Sequence, residues 1–309
     1  LKTALGPFRV FENIPLSKHT YFKLGGNAKY FFEAKSVDEL KQALICAFQN
    51  NIPYIVLGGG ANVLISDRGF DGLVIKNRAE GVKIVGIKGT INKNGRGVKS
   101  AVIQASSGTL MNQLARFSLD SSLSGLEFLL SVPGTVGGGL KINAHFEVEK
   151  GEFIGNRLTA ATLFDPKTGQ IQNKPASYFE FSYDHSKIQQ TGEIVIEATF
   201  NLDSKEESAK IWEKAMEDVK RRNNEQPVGV ACSGCVFRNI TDDDAKRLAT
   251  PNLTTSTGYI IEALGLKGTK VGGAQISEEH ANYILNVENA KAADVVELIN
   301  MIKNKAKDT

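Results

Sequence analysis

Pro53-Tyr54-Ile55-Val56-Leu57-Gly58-Gly59-Gly60-Ala61-Asn62-Val63-Leu64 is an apolar run that empties into three consecutive glycines. A strand feeding such a run leaves several backbone N–H groups uncovered by any Cβ, and a nest of that kind packs closely against a phosphate or pyrophosphate. The stretch reads as a cofactor cradle, with a glycine-rich turn as the plainer alternative. Its spacing is neither the G-x-G-x-x-G of a dinucleotide-binding turn nor the G-x-x-x-x-G-K-[ST] of a P-loop, which argues against the usual nucleotide folds.

Upstream, Tyr30-Phe31-Phe32-Glu33-Ala34 has the character of a strand, and Ser36 with Glu39 forms a capping box for an amphipathic helix bearing Leu40, Ala43, Leu44 and Ala47. A β-α-β unit thus presents the glycines at the carboxyl end of a strand. Downstream, short strands are expected at Leu73 to Lys76, Val82 to Ile87 and Ala101 to Ala105, with Asn94-Gly95 as a hairpin turn and Ser107-Gly108-Thr109 capping a helix through Leu110, Leu114 and Phe117. A second glycine cluster follows in Val132-Pro133-Gly134-Thr135-Val136-Gly137-Gly138-Gly139-Leu140, ahead of Asn143-Ala144-His145. Two such clusters suggest one long ligand gripped at two places. Strands continue at Leu158 to Asp165 and Ile194 to Leu202, around a Lys167-Thr168-Gly169 turn. Ser204 and Glu207 make a further capping box for a helix with Ile211, Trp212, Ala215 and Val219 at helical spacing, and Pro227 marks a boundary beyond it. The pattern is α+β rather than doubly wound.

The 309 residues suffice for two or three compact units with a ligand between them. No window approaches the roughly 20 uninterrupted apolar residues of a membrane span, and no signal peptide is visible at Leu1. A net charge of +3 without a basic stripe gives no reason to expect nucleic acid. Three cysteines fit a reducing cytoplasm. Cys232 and Cys235 form a C-x-x-C, but His19, His145, His185 and His280 are scattered, so no metal site is expected. Cys235-Val236-Phe237-Arg238 looks like the start of a strand rather than the strand-to-helix junction of a redox pair.

Together these segments resemble the UDP-N-acetylenolpyruvoylglucosamine reductase family of bacterial cell-wall synthesis, nearly end to end. The resemblance rests on His19-Thr20-Tyr21-Phe22-Lys23-Leu24-Gly25-Gly26, Gly58-Gly59-Gly60-Ala61-Asn62, Gly125-Leu126-Glu127-Phe128, Pro133-Gly134-Thr135-Val136-Gly137-Gly138 and Asn143-Ala144. It extends through Ser233-Gly234-Cys235-Val236-Phe237-Arg238-Asn239 and Gly272-Gly273-Ala274-Gln275-Ile276-Ser277-Glu278-Glu279-His280-Ala281-Asn282. It is to the shorter second type within the family.

The resemblance implies an α+β chain: a two-subdomain FAD-binding fold of the vanillyl-alcohol oxidase-like kind, over 1–76 and 77–202, and a C-terminal α+β substrate domain over 203–309. FAD would be held by Gly58, Gly59, Gly60, Ala61, Asn62, Val63 and Leu64, and by Pro133, Gly134, Gly137, Gly138, Asn143 and Ala144, mainly through backbone donors to its pyrophosphate. NADPH would be the co-substrate and a nucleotide sugar the substrate, near Tyr183, Asn239 and His280. The implied reaction adds hydride to the enolpyruvyl vinyl carbon, so the site must stabilise charge on the substrate carboxylate and protonate the neighbouring carbon.

Four positions depart from the family pattern. Cys235 stands where the family has a serine as acid, and a thiol is the stronger acid of the two. Asp184, in Tyr183-Asp184-His185-Ser186, occupies the place of an arginine that stabilises the developing charge. Its replacement by an anion is repulsive, with His185 or Lys187 as conceivable substitutes. His145 and Phe146 replace small residues after Asn-Ala. The sequence given ends at Asp308-Thr309, before the strand that would carry the family's catalytic glutamate. Two readings stay open: an active NADPH-dependent reductase using Cys235, or a degenerate relative that binds FAD or a nucleotide sugar without turnover. Oligomeric state is not legible in the sequence.

Overall fold

The computed structural model describes residues 1–92, 95–146, 148–204 and 207–308. Helix α1 (Lys2–Leu5) and strand β1 (Val10–Pro15) precede β2 (Asn27–Ala34), which buries Ala28, Phe32 and Ala34 at the period of two of a half-covered strand. Helix α2 (Val37–Gln49) starts as the sequence suggests, with Ser36 Oγ accepting from the Glu39 N–H at 3.2 Å. The return bond of the capping box is displaced by one residue. Glu39 Oε2 accepts from the Lys35 N–H at 2.7 Å, and the two carboxylate oxygens also take the Arg9 guanidinium at 2.6 and 2.8 Å. α2 buries Leu40, Ala43, Leu44 and Ala47 and delivers the chain to β3 (Tyr54–Leu57), with Gly58 next in line. β3 pairs in parallel with β4 (Phe70–Asn77), Leu57 opposite Lys76, in a sheet ordered β1-β2-β4-β3.

A second sheet, ordered β5-β6-β9-β7-β8, is formed by β5 (Val82–Asn92), β6 (Gly95–Ser106), β7 (Leu158–Phe164), β8 (Ile171–Pro175) and β9 (Ile194–Asp203). β5 and β6 pair antiparallel, while Asn94 of the expected Asn94-Gly95 turn lies outside the described residues. Helices α3 (Met111–Asp120), α4 (Val136–Ile142) and α5 (Ile188–Thr191) accompany this sheet in the chain. The start of α3 corrects the sequence reading. Its N-cap is Leu110, whose N–H donates to Gln113 Oε1 at 3.0 Å, and Thr109 Oγ1 is drawn off to the Gly81 backbone. α6 (Ser208–Glu225) buries Ile211, Ala215 and Asp218. The capping box read at Ser204 and Glu207 spans 205 and 206, outside the described residues, and the amides of Lys210 and Ile211 donate to the Glu207 carbonyl.

Beyond it come α7 (Asp242–Arg247), α8 (Thr257–Ala263), the three-stranded sheet β10 (Lys270–Val271), β11 (Ala274–Ile276) and β12 (Ile284–Asn286), and α9 (Ala292–Lys307). The strand expected at Cys235-Val236-Phe237-Arg238 reduces to one isolated antiparallel bridge, Cys235 to Tyr283. Among the described residues no helix is long and apolar enough to cross a membrane.

The chain divides into two compact units, each built from discontinuous segments, where the resemblance suggested three contiguous stretches. The first holds Leu1–Glu12, Tyr30–Gly59 and Asp71–Arg221, and the second Asn13–Lys29, Gly60–Phe70 and Arg222–Thr309. In the first unit, Leu40, Leu44, Phe32, Leu73, Ile75 and Phe164 form one core, and Ile103, Leu114, Phe128, Val136, Phe179 and Phe200 belong to another. In the second, Phe22 and Leu24 pack with Ile276, Ile284, Val295, Leu298 and Ile302. Asp67 ties its pieces together, since its two carboxylate oxygens accept from the N–H groups of Ala292 and Ala293 at 2.8 and 3.0 Å and so cap α9 from a distant segment.

The Arg9 guanidinium beside Glu39 holds its carboxyl down to about 2. A native pKa below the unfolded one adds stability that is complete above the ordinary carboxylate range and is lost as pH falls toward about 2. Both groups are partly exposed, so the effect is about 1 kcal/mol or less. Glu39→Gln is expected to unfold at a lower temperature than wild type at about pH 7, with the gap closing as the pH is lowered through the carboxylate range. Thermal unfolding followed by circular dichroism checks this, and a gap independent of pH would contradict it.

Candidate active site

The two glycine clusters, about 75 residues apart in sequence, meet in the first unit. A Cβ on Gly59 would stand 3.0 Å from the Gly134 Cα, and one on Gly58 would collide with the Thr135 hydroxyl. A Cβ on Gly137 would come within 3.0 Å of the Ser107 Cβ. Gly58, Gly137 and Gly138 line one cavity of about 80 Å³ together with Asn77, Thr135 and Lys141. A space of that size takes a phosphate-sized part of a ligand rather than a whole dinucleotide.

Not every amide of the second cluster is free for a ligand. The N–H groups of Val136 and Gly137 donate to the Thr109 and Ser107 carbonyls, both at 2.9 Å. These bonds hold the glycine turn open at the cavity. Pro133 is exposed and precedes Gly134, whose φ of +119° and carbonyl, accepting from the Met111 N–H at 3.0 Å, fix the turn.

Asn143 and Ala144 serve the fold. Asn143 is buried in the left-handed region, with Nδ2 donating to the Ser182 carbonyl at 3.0 Å and Oδ1 accepting from the Gly155 N–H at 3.1 Å. Ala144 is buried and its N–H donates to the Gly139 carbonyl. Gly60, Ala61, Asn62, Val63 and Leu64 fall in the second unit. There Gly60, at φ +78°, packs against the His19 carbonyl and accepts from the Tyr21 N–H at 2.9 Å, while Asn62 and Leu64 are exposed.

Lys76, which ends the apolar run Leu73-Val74-Ile75, was not singled out by the sequence reading. Its ammonium is buried and donates to the Gly58 carbonyl at 2.6 Å. Burial first, and then Arg78, pull its pKa down to about 8.

The second unit gathers Cys235, His280 and Asn239. Cys235 is exposed, bridged antiparallel to Tyr283, and shares a side-chain hydrogen bond with the buried Tyr283 hydroxyl. Burial and then the Cys235 sulfur push that phenol up. Arg222 is close enough to Tyr283, Cys235 and Cys232 to feel all three, and burial pulls its pKa down. Asn282 brackets the neighbouring Phe237, donating to its carbonyl at 2.8 Å and accepting from its N–H at 2.9 Å. His280 meets the Tyr283 ring edge-on at 5.0 Å and accepts from the Asn282 N–H at 3.3 Å. Burial lowers its pKa, which keeps the imidazole neutral near pH 7. Gly258 leaves room for that ring, since a Cβ there would come within 2.7 Å of it. Asn239 is exposed, its Oδ1 accepting from the Thr257 N–H at 3.2 Å where α8 begins. Among the described residues no group of three His, Cys, Asp or Glu is placed to hold a metal.

Comparison with known proteins decides the family. Residues 226–309 match the profile of the UDP-N-acetylenolpyruvoylglucosamine reductase C-terminal domain, and residues 28–173 match an FAD-binding domain. The chain is 34% identical over 305 residues to a UDP-N-acetylenolpyruvoylglucosamine reductase of Chlamydia trachomatis serovar A, covering 97% of this chain and 92% of that protein. It is 33% identical over 293 residues to one from a Synechococcus species, covering 94% and 87%. The chain belongs to the UDP-N-acetylenolpyruvoylglucosamine reductase family. A crystal structure of the family's enzyme from Thermus caldophilus superposes with a TM-score of 0.72 at 31% identity, covering 96% of this chain and 95% of that one, and confirms the α+β fold.

FAD is the family cofactor, and the missing side chains of Gly58, Gly59 and Gly137 let the two glycine clusters pack against each other and against Ser107 beside the cavity. The substitutes suggested for the family arginine are otherwise engaged. Lys187 binds Glu180 at 2.6 Å, and the His185 Nε2 lies 3.2 Å from the Gln190 amide. Tyr183 is half-buried in the first unit beside Asp184.

Lys76 links the cradle to the sheet through a charge-assisted bond, a class worth about 1.5 to 3 kcal/mol. Lys76→Met is expected to weaken FAD binding by about tenfold, read as flavin fluorescence on titrating apoprotein. Wild-type affinity should fall as the pH rises through about 8 and the ammonium loses its proton, while the variant's affinity should not.

Proposed function

We propose that this chain reduces UDP-N-acetylglucosamine enolpyruvate to UDP-N-acetylmuramate in peptidoglycan synthesis, with NADPH as reductant and Cys235 as the acid. The observation that carries the reading is Cys235 itself: an exposed thiol at the acid position of a whole-chain family match, backed by Tyr283 and Arg222. When bound, FAD supplies hydride transfer between the two substrates. The protein's part is to orient and to manage charge.

Hydride addition at the vinyl carbon leaves electron density on the neighbouring carbon and the carboxylate, and a proton must reach that carbon. Cys235 gives up its S–H proton there and recovers one from solvent. The Asn282 bracket on Phe237 holds the loop that aims the thiol. Neutral His280 and the exposed Asn239 offer hydrogen bonds to the nucleotide sugar, and Tyr183 lies at the reacting end. We place the reaction in the cytoplasm, on the reducing compartment that three free cysteines suit.

Asp184 favours a second reading, a relative that binds FAD or the nucleotide sugar without turnover, because an anion opposes charge developing nearby. Flavin absorbance separates the two. NADPH is expected to bleach the flavin and the enolpyruvyl sugar to restore it, whereas bleaching without restoration would leave only the binding reading.

Cys235→Ser keeps a proton on a similar-sized group and is expected to retain turnover within about tenfold, while Cys235→Ala should lose about 10²- to 10⁴-fold in the substrate half-reaction. Stopped-flow flavin reoxidation measures both. An alanine variant as fast as wild type would remove Cys235 from the mechanism.

A further inference from the structure

His145 and Asp184 are 39 residues apart in sequence, each departs from the family pattern, and they touch. His145 Nε2 lies 3.2 Å from Asp184 Oδ1, with both side chains half-buried. A carboxylate only accepts, so the imidazole proton in this bond is on Nε2. The ring is packed on its other sides as well: its centroid lies 5.1 Å from that of Tyr183 and 5.2 Å from that of Phe153, while Nδ1 is buried and has no hydrogen-bond partner among the described residues. Backbone geometry fixes the partner. Asp184 sits in the left-handed region at φ +51°, and its carbonyl accepts from the Gln189 amide at 3.0 Å. Next to His145, Phe146 carries the Arg221 guanidinium 5.2 Å above its ring.

We propose that His145 is a positioning residue for the reduction. It ties the Asp184 carboxylate into a hydrogen bond beside Tyr183, so that this anion is held off the charge that develops on the substrate carboxylate. The proposal rests on the reading above that Tyr183 lies at the reacting end of the enolpyruvyl sugar. Like charges a few ångströms apart in a water-poor site repel strongly. Directing one carboxylate toward a donor weakens that repulsion.

The test measures the two half-reactions separately by stopped-flow absorbance in four FAD-loaded proteins: wild type, His145→Ala, Asp184→Asn and the double variant. Expected for His145→Ala is a loss of about tenfold or more in reoxidation by the enolpyruvyl sugar, with reduction by NADPH within about twofold of wild type. Adding Asp184→Asn to it should restore most of the loss, because the anion that His145 restrained is gone. Asp184→Asn alone should reoxidise at least as fast as wild type, and it serves as the conservative control should His145→Ala fold poorly.

Wild-type-like reoxidation in His145→Ala, an equal fall in both half-reactions, or no rescue in the double variant would each overturn the proposal. A wild-type flavin that NADPH bleaches and the sugar does not restore would overturn the reading beneath it as well. The two failures are therefore distinguishable.

Discussion

The close approach of Gly59 to Gly134 is the constraint on which the cofactor site depends. With only 3.0 Å between a Cβ added at Gly59 and the facing Gly134 Cα, a side chain at Gly59 would push the two turns apart. Much around the contact keeps it closed. β3 is held in register by its parallel partner β4, with Leu57 opposite Lys76, and Lys76 reaches across to the Gly58 carbonyl. On the other side, the amides of Val136 and Gly137 are anchored to Thr109 and Ser107. A buried ammonium is costly to hold in the apo fold, as the fall of its pKa to about 8 records.

The second unit obeys a different constraint. Its core is made partly by Phe22 and Leu24, which come from the N-terminal part of the chain, and its last helix is capped by Asp67 from a segment just after the glycine cradle. The Asn286 side-chain amide donates to the Phe22 carbonyl at 3.0 Å and closes the same long loop. Two N-terminal segments are thus structural parts of the C-terminal unit. The His19 to Gly26 motif is explained by this role as much as by any ligand: Phe22 and Leu24 are buried, Lys23 adopts φ +54°, and Thr20 Oγ1 donates to the Leu24 carbonyl at 2.9 Å.

Local periodicity was a good guide wherever an element buries one face. The Leu40, Ala43, Leu44, Ala47 stripe became α2, and the strands at 73–76, 101–105 and 194–202 lie within β4, β6 and β9. It misled where a side chain had a better partner at long range. Thr109 was drawn away from the α3 N-terminus by the Gly81 backbone, and Glu39 was drawn from its own cap by Arg9. The division of the chain was not legible, because the segments 13–29 and 60–70 return to the second unit through contacts that no window of sequence contains. The two glycine clusters that meet at Gly59 and Gly134 could be picked out from their runs in the sequence. Lys76 could not, since a lysine ending a strand looks like a solvated charge until its burial is seen, and the half-buried Arg222 in a polar helix end looks the same.

His145 and Asp184 show why substitutions at a site are weighed in pairs. Taken singly, a bulky ring after Asn-Ala and an anion beside Tyr183 both look like damage, and a chain carrying two such lesions would be read as degenerate. In space one supplies the donor the other needs, at 3.2 Å. Two independent losses of function would have no reason to fall on positions 39 residues apart that share a hydrogen bond. The pairing thus supports a site that has exchanged one arrangement of charge for another, and it moves the question from whether the arginine is missing to what its replacement does.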